Sequence, residues 1–237
     1  MTNEIQILNE IEKAALLCEK EYTHQELLNV IKTEDDFEKQ ICIMKLQKLC
    51  SQEEANLLVF QLTGHASLIR ETTAIKIHEF VSENKYLELF LTNEILNSLL
   101  NGINDINPNI CRLICSVIKI LFENNKKEKE IFLNNLYKRF DEIFADLEQL
   151  KRSRLYTKKL FNLYWSLEAL AMLTPQIDET FENIIEKSSK VKDYTIREKT
   201  AMVLSSLSNT STKIEEIKKT LKNDENFYVK RYSKLFE

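Results

Sequence analysis

Glycine and proline are nearly missing from this chain, with two of each in 237 residues. Strand-rich and α/β folds need glycine for tight turns and close backbone approach, so this poverty excludes most of them. Only three histidines and one tryptophan are present. No glycine-rich phosphate loop, His-Glu-x-x-His helix or nucleophile elbow appears, and each of these needs glycines or histidines that the chain lacks. The opening Met1-Thr2-Asn3-Glu4-Ile5 has neither the basic start nor the apolar run of a signal peptide. The longest apolar-rich stretch, Leu160 to Leu173, is broken by Glu168 and too short to span a bilayer. These absences predict a cytoplasmic protein.

Cysteine is present but unpaired in pattern. Its five residues form an odd count with no Cys-x-x-Cys, which argues against a disulfide scaffold and for a reducing compartment. Cys111 and Cys115 share a helix face, as two metal ligands would. No further His or Cys pair has the spacing to complete a tetrahedral site, so both are expected to fill close helix contacts, and no metal or cofactor is expected.

What remains is helix. With 43% hydrophobic and 30% charged residues, the chain has enough apolar surface for a sizeable core. Capping boxes are read at Thr23 to Glu26, Ser51 to Glu54 and Thr212 to Glu215. Pro108 and Pro175 sit where helices can begin, and Gly64 and Gly102 follow apolar segments as C-terminal caps would. The pattern predicts helices over 3–21, 23–32, 36–50, 52–63, 67–83, 86–101, 108–123, 127–150, 154–173, 178–190, 194–208, 213–223 and 227–236.

Alternate helices open alike. Ile69-Arg70 is followed by Ala74 and Ile77, and Ile196-Arg197 by Ala201 and Leu204. Ile110 is followed by Cys115 and Ile118, while Val229 and Phe37 begin weaker copies. A polar turn caps each helix, a β-branched residue begins the buried stripe, a small residue one turn on admits a neighbour, and a large apolar residue follows a further turn along. One helical hairpin cannot cover such a face, so the copies must stack.

Polar turn, Ile/Val-Arg, small residue and Leu/Ile together resemble the second helix of a HEAT-type repeat. Ile69-Arg70 and Ile196-Arg197 match well. At Ile110 the arginine is displaced to Arg112, with Cys111 in its place, and Glu38 and Lys230 stand at the equivalent positions of the weaker copies. A further copy near Leu160 or Phe161 is inferred from spacing. Starting positions 37, 69, 110, about 160, 196 and 229 are unevenly spaced. The resemblance implies an all-α, right-handed α-solenoid of about six HEAT-like helical pairs. It would form a single domain over 1–237, with 1–21 as an N-terminal capping helix. An irregular multi-helix bundle is the alternative.

Charge is uneven along the chain. Residues 1–123 carry 11 basic and 19 acidic side chains, and residues 124–237 carry 22 and 18. The basic excess centres on Lys151-Arg152-Ser153-Arg154-Leu155-Tyr156-Thr157-Lys158-Lys159, running into Phe161, Tyr164 and Trp165. Such a run can engage an acidic peptide or hold phosphate and stack bases. It can also be a solvated turn with Phe161 and Trp165 pointing inward. Arg154, Lys158, Lys159 and Tyr164 are therefore the leading candidates for partner contact. Arg70, Arg112 and Arg197 either project into a concave groove or pair with turn carboxylates as a structural ladder. Asp105 and Asp193 are available for such pairing, whereas Gly64-His65 offers Arg70 no carboxylate.

Two resemblances to HEAT-like enzymes are weaker. His78-Glu79 is similar to one iron-holding His-Glu pair of the deoxyhypusine hydroxylases, which need several such pairs facing one another. Alkylpurine DNA glycosylases share the repeat architecture and need a basic groove, aromatics and a carboxylate. Here Trp165 and Glu168 lie three residues apart in a chain of net charge −4. The expected function is a non-catalytic scaffold that binds a protein or peptide. Nucleic-acid binding through 151–165 is the alternative, and glycosylase activity stands third.

Overall fold

Side-chain caps start most of the described helices, although α4 and α7, which follow Ala66 and Asn125, begin without one. In a computed structural model, residues 12, 14–33, 35–150, 154–207 and 209–234 are described. Lys151, Arg152 and Ser153 of the basic run lie outside them, as do the side chain of Arg154 and most of the expected capping helix. Residues 14–19 are helical. Then follow α1 (His24–Ile31), α2 (Asp36–Lys45), α3 (Gln52–Phe60), α4 (Ser67–Ser82), α5 (Asn93–Ile103) and α6 (Pro108–Leu121). The series continues with α7 (Lys126–Gln149), α8 (Arg154–Leu173), α9 (Glu179–Ser189), α10 (Tyr194–Ser205), α11 (Thr212–Lys222) and α12 (Phe227–Ser233). Short 3₁₀ turns occupy Gln61–Thr63 and Asn84–Phe90, and no strand occurs among the described residues.

Several local expectations need correction. The capping box at Thr23 is complete, with Glu26 returning to the Thr23 N–H at 2.7 Å. At α11 the cap is Ser211, one residue earlier than expected, because its hydroxyl accepts from Ile214 N. α2 ends at Lys45 rather than continuing to residue 50, since Leu46 turns extended (ψ 114°) and Leu46 and Leu49 are buried from there. The expected helix over 86–101 is a 3₁₀ turn followed by α5. Thr92 separates them: its carbonyl and Oγ1 accept from Leu96 N and Ile95 N. Gly64 is extended (φ −69°, ψ 164°), not a left-handed cap. Gly102 lies inside α5, where a Cβ would stand 3.1 Å from the Ile114 side chain, so glycine serves close approach of α6. Pro108 opens α6 as expected, but Pro175 precedes a helix that starts later, at Glu179 behind the Asp178 cap.

The chain divides into two compact units, Met1–Ser98 and Leu99–Glu237. In the first, α1 packs on α2 and α3 on α4; α1 also lies beside α3, and α2 beside α4. In the second, α7 packs on α8, α9 on α10 and α11 on α12. There α6, α8, α10 and α12 run side by side as one layer, and α9 and α11 meet in the other. This is a stack of helical pairs, as the sequence echo requires.

Four of the echo positions form the seams, whereas Phe37, expected to begin the first copy, is exposed, and Leu160 and Phe161 are half-buried. Ile69, Ile110, Ile196 and Val229 are buried, as are the small residues Ala74, Cys115 and Ala201 that follow the first three. Each large aliphatic side chain so buried contributes about 1.5–3 kcal/mol. Burial also pushes the Cys111 thiol up to about 12 and raises that of Cys115, which suits filler rather than ligand.

The arginine of the echo has a local task. Arg70 Nη1 donates to the carbonyls of Gly64 and His65 at 2.9 and 2.8 Å. Arg197 Nη1 donates to Val191 and Lys192 at 2.9 and 2.7 Å, which is the same offset along the chain. Cys111, standing where arginine is displaced, directs its Sγ to the carbonyl of Asp105 at 3.1 Å. Each therefore satisfies carbonyls in the turn that enters its helix, groups that would otherwise cost free energy when shielded from water.

Candidate functional site

The expected contact residues fall into distinct settings. Arg70 is buried against its turn. Arg197 also grips Asp224, with Nε to Oδ2 at 2.6 Å and Nη2 to Oδ1 at 3.1 Å. The ladder partner in this unit is thus Asp224, ahead of α12, rather than Asp193, which caps α10 through Thr195 N. Burial alone would raise the Asp224 carboxyl, but the Arg197 hydrogen bonds and the Asn226 N–H outweigh it and hold it below its ordinary value. Arg112 is exposed, with Nη1 3.5 Å from Asn109 Oδ1.

The basic segment is only partly open. Lys158 is exposed, while Lys159 pairs with Asp146 of α7. Tyr164 is half-buried beneath Lys199, whose Nζ lies 4.6 Å from its ring centroid, and it meets Trp165 edge to face. Trp165 is buried, as the inward alternative required. Glu168 pairs with Lys199 of α10, a side chain only 3% exposed. The carboxylate that a glycosylase would need is here half of an ion pair between helices.

A different set of side chains faces solvent, and sequence reasoning missed it. Except α6, whose first-turn Ile110 is buried, the second helix of each pair carries a large apolar residue in its first turn, outside the buried stripe. In the first unit these are Phe37 on α2 and Leu68 on α4; in the second they are Leu155 on α8, Tyr194 on α10, and Phe227 and Tyr228 on α12. All are exposed. The signal was present in the sequence as a bulky apolar residue within two positions of a helix start, where a first turn is ordinarily polar.

In the first unit this pattern opens into a groove of about 430 Å³ between α2 and α4. Met44, Leu68 and Ile75 line it at 60%, 64% and 44% exposure. Gln40 Nε2 donates to Thr72 Oγ1 at 3.1 Å, and both side chains line the groove. Glu71, Lys76 and Glu79 supply its charge, with Lys76 paired to Glu79 at 2.5 Å. The first unit holds 9 lysines and arginines against 17 aspartates and glutamates, a net of −8. In the second unit, Tyr194 stacks on Tyr228 at 6.2 Å between centroids, and Phe227 meets Tyr228 edge-on at 5.7 Å.

No protein-family model matches the sequence, and no curated protein matches it. Solved structures do resemble the fold. An engineered protein aligns with a TM-score of 0.54 and 11% identity, over 91% of this chain and 95% of that one. A designed armadillo repeat protein aligns at 0.50 and 12%, over 90% and 98%. Another, solved in complex with the peptide (KR)4, aligns at 0.52 and 13%, over 91% and 100%. At such identities the likeness is one of fold. With the stacked pairs, it places the chain in the class of all-α helical-repeat solenoids. No helix among the described residues is long and apolar enough to cross a membrane.

Proposed function

We propose that the protein is a non-catalytic scaffold of HEAT type that binds peptide segments. In this reading, the groove of the first unit takes a segment with large apolar side chains flanked by lysine or arginine. The observation that carries it is the grouping of Met44, Leu68 and Ile75 in one open groove beside Glu71 and Glu79. A contiguous exposed apolar patch with a polar rim is the ordinary mark of a binding surface. The net charge of −8 on the unit attracts cations and repels acidic competitors. The structural neighbour in complex with (KR)4 supports this choice, since there a helical-repeat protein holds a basic peptide.

Selection of displayed peptides on the purified chain tests the reading. Enriched sequences combine bulky apolar residues with lysine or arginine. Ile75→Glu weakens them at least about 30-fold, the loss expected of a central anchor worth roughly 2 kcal/mol. Enriched peptides that bind Ile75→Glu and Met44→Glu like the unaltered chain would refute it. The exposed Lys158 favours a second contact through the basic segment, with an acidic segment or nucleic acid. Lys158→Glu abolishes that contact, and only a nucleic-acid contact also collapses steeply with added salt.

A further inference from the structure

His24 converges on Cys50 and Glu54, which flank the start of α3 about thirty residues further along the chain. His24 opens α1, Cys50 precedes the Ser51 cap of α3, and Glu54 follows one turn into α3. Their ligand atoms all lie within 4.8 Å of one another. His24 Nε2 is 3.0 Å from Glu54 Oε2, and the same oxygen accepts from the backbone N–H of Cys50 at 2.7 Å. We propose that these three side chains form a transition-metal site of zinc type, with three protein ligands and one open position.

Donor chemistry, charge and geometry agree. Imidazole, thiolate and carboxylate are the usual zinc ligands, and a thiolate with a carboxylate would neutralise a divalent ion. Bonds of about 2.0–2.1 Å to nitrogen and oxygen put those two atoms roughly 3.3 Å apart in a tetrahedron. The observed 3.0 Å is a few tenths short of that edge, so a metal ion replaces the shared proton with little movement. The thiolate sulfur needs about 3.6 Å to each partner, given a zinc–sulfur bond of about 2.3 Å. Cys50 is exposed and can rotate to reach it. Its own backbone N–H steadies the glutamate, the kind of outer-shell support that metal carboxylates use. Oε1 of Glu54 accepts no hydrogen bond from the described residues and is available as donor. His24 also lines a cavity of about 550 Å³ open to solvent, which leaves room for a fourth ligand.

The hydrogen bond from Cys50 N–H alone would explain Glu54, which leaves the expected capping box at Ser51 incomplete, and a surface ion pair would explain His24. Neither accounts for a thiol at the same point, and spectroscopy separates the readings. Titrating the reduced full chain with Co²⁺ should give, at one equivalent, a near-ultraviolet thiolate-to-cobalt band together with intense visible bands of four-coordinate cobalt. Zn²⁺ should displace both. Cys50→Ser should abolish the ultraviolet band, whereas Cys18→Ser, which alters the other exposed thiol, should leave it intact. His24→Gln should weaken Zn²⁺ binding by more than the roughly 10- to 100-fold that loss of an outer-shell partner costs. Unaltered helical circular dichroism in each variant excludes misfolding as the cause. An absent ultraviolet band, one that survives Cys50→Ser, or zinc affinity unchanged in His24→Gln would each overturn the site.

Discussion

Arg197 does two things at once: it satisfies two turn carbonyls and holds Asp224 in a two-point grip. Asp224→Asn keeps the shape but removes the charge, and should cost roughly 1.5–3 kcal/mol, the worth of hydrogen bonds to a charged group. The cost depends on pH. Because the folded carboxyl titrates below its ordinary value, its contribution is full above the unfolded value near 4 and is lost as pH falls through the folded one. Urea midpoints of the two proteins should therefore differ at neutral pH and converge in acid once the pH has fallen through the folded value. Gly64→Ala should act in the opposite direction. Its backbone is extended, the nearest atom to an added Cβ is 3.7 Å away, and stability should rise by about 0.4–1 kcal/mol. The positions of these arginines were legible in the sequence, but their partners were not. Backbone carbonyls carry no sequence signature, so a search among carboxylates could offer Arg70 nothing.

Between elements, Glu168 and Lys199 tie α8 to α10 through an ion pair. Glu168→Gln would leave an almost fully buried ammonium without its counter-charge, at a cost of roughly 3 kcal/mol or more. Replacing both residues together, as Glu168→Leu with Lys199→Met, should recover most of that loss in thermal unfolding. Trp165 and Glu168 were visible as a pair in the sequence, whereas Lys199 is remote in chain order and pairs only after stacking. Element ends were legible where a cap was strong, as at Thr23 and Pro108. They were missed at Lys45 and Thr92, where buried leucines or a lone threonine decide. Missed also were the apolar openers of the second helices. Their amphipathic helices account for the core without them, so periodicity gives no reason to notice them. The trio of His24, Cys50 and Glu54 was hidden for a similar reason: only Cys50 and Glu54 share a helix-type spacing.

Across the whole chain, poverty in glycine and proline together with the Ile-Arg echo was enough to show stacked pairs. The uneven spacing of that echo has concrete causes. The turn Asn84–Phe90 adds residues between the copies at 69 and 110, and the 24 residues of α7 lengthen the next interval. Charge asymmetry also has a measurable counterpart. Affinity for a basic peptide should weaken as ionic strength rises and surface attraction is screened, yet persist at high salt through the apolar anchors. Fluorescence anisotropy across a salt series, run beside Ile75→Glu, should show the two contributions separately.

The bulky openers of the second helices stand outside the seams, so under the proposed peptide-binding role the labour of recognition and the labour of folding fall on different letters of the same turn. Leu68 or Tyr194 can be exchanged for another residue while Ile69 or Ile196, its close neighbour in the chain, continues to hold the stack. A protein arranged in this way can acquire new ligands by editing single characters, one repeat at a time, without risking its own architecture.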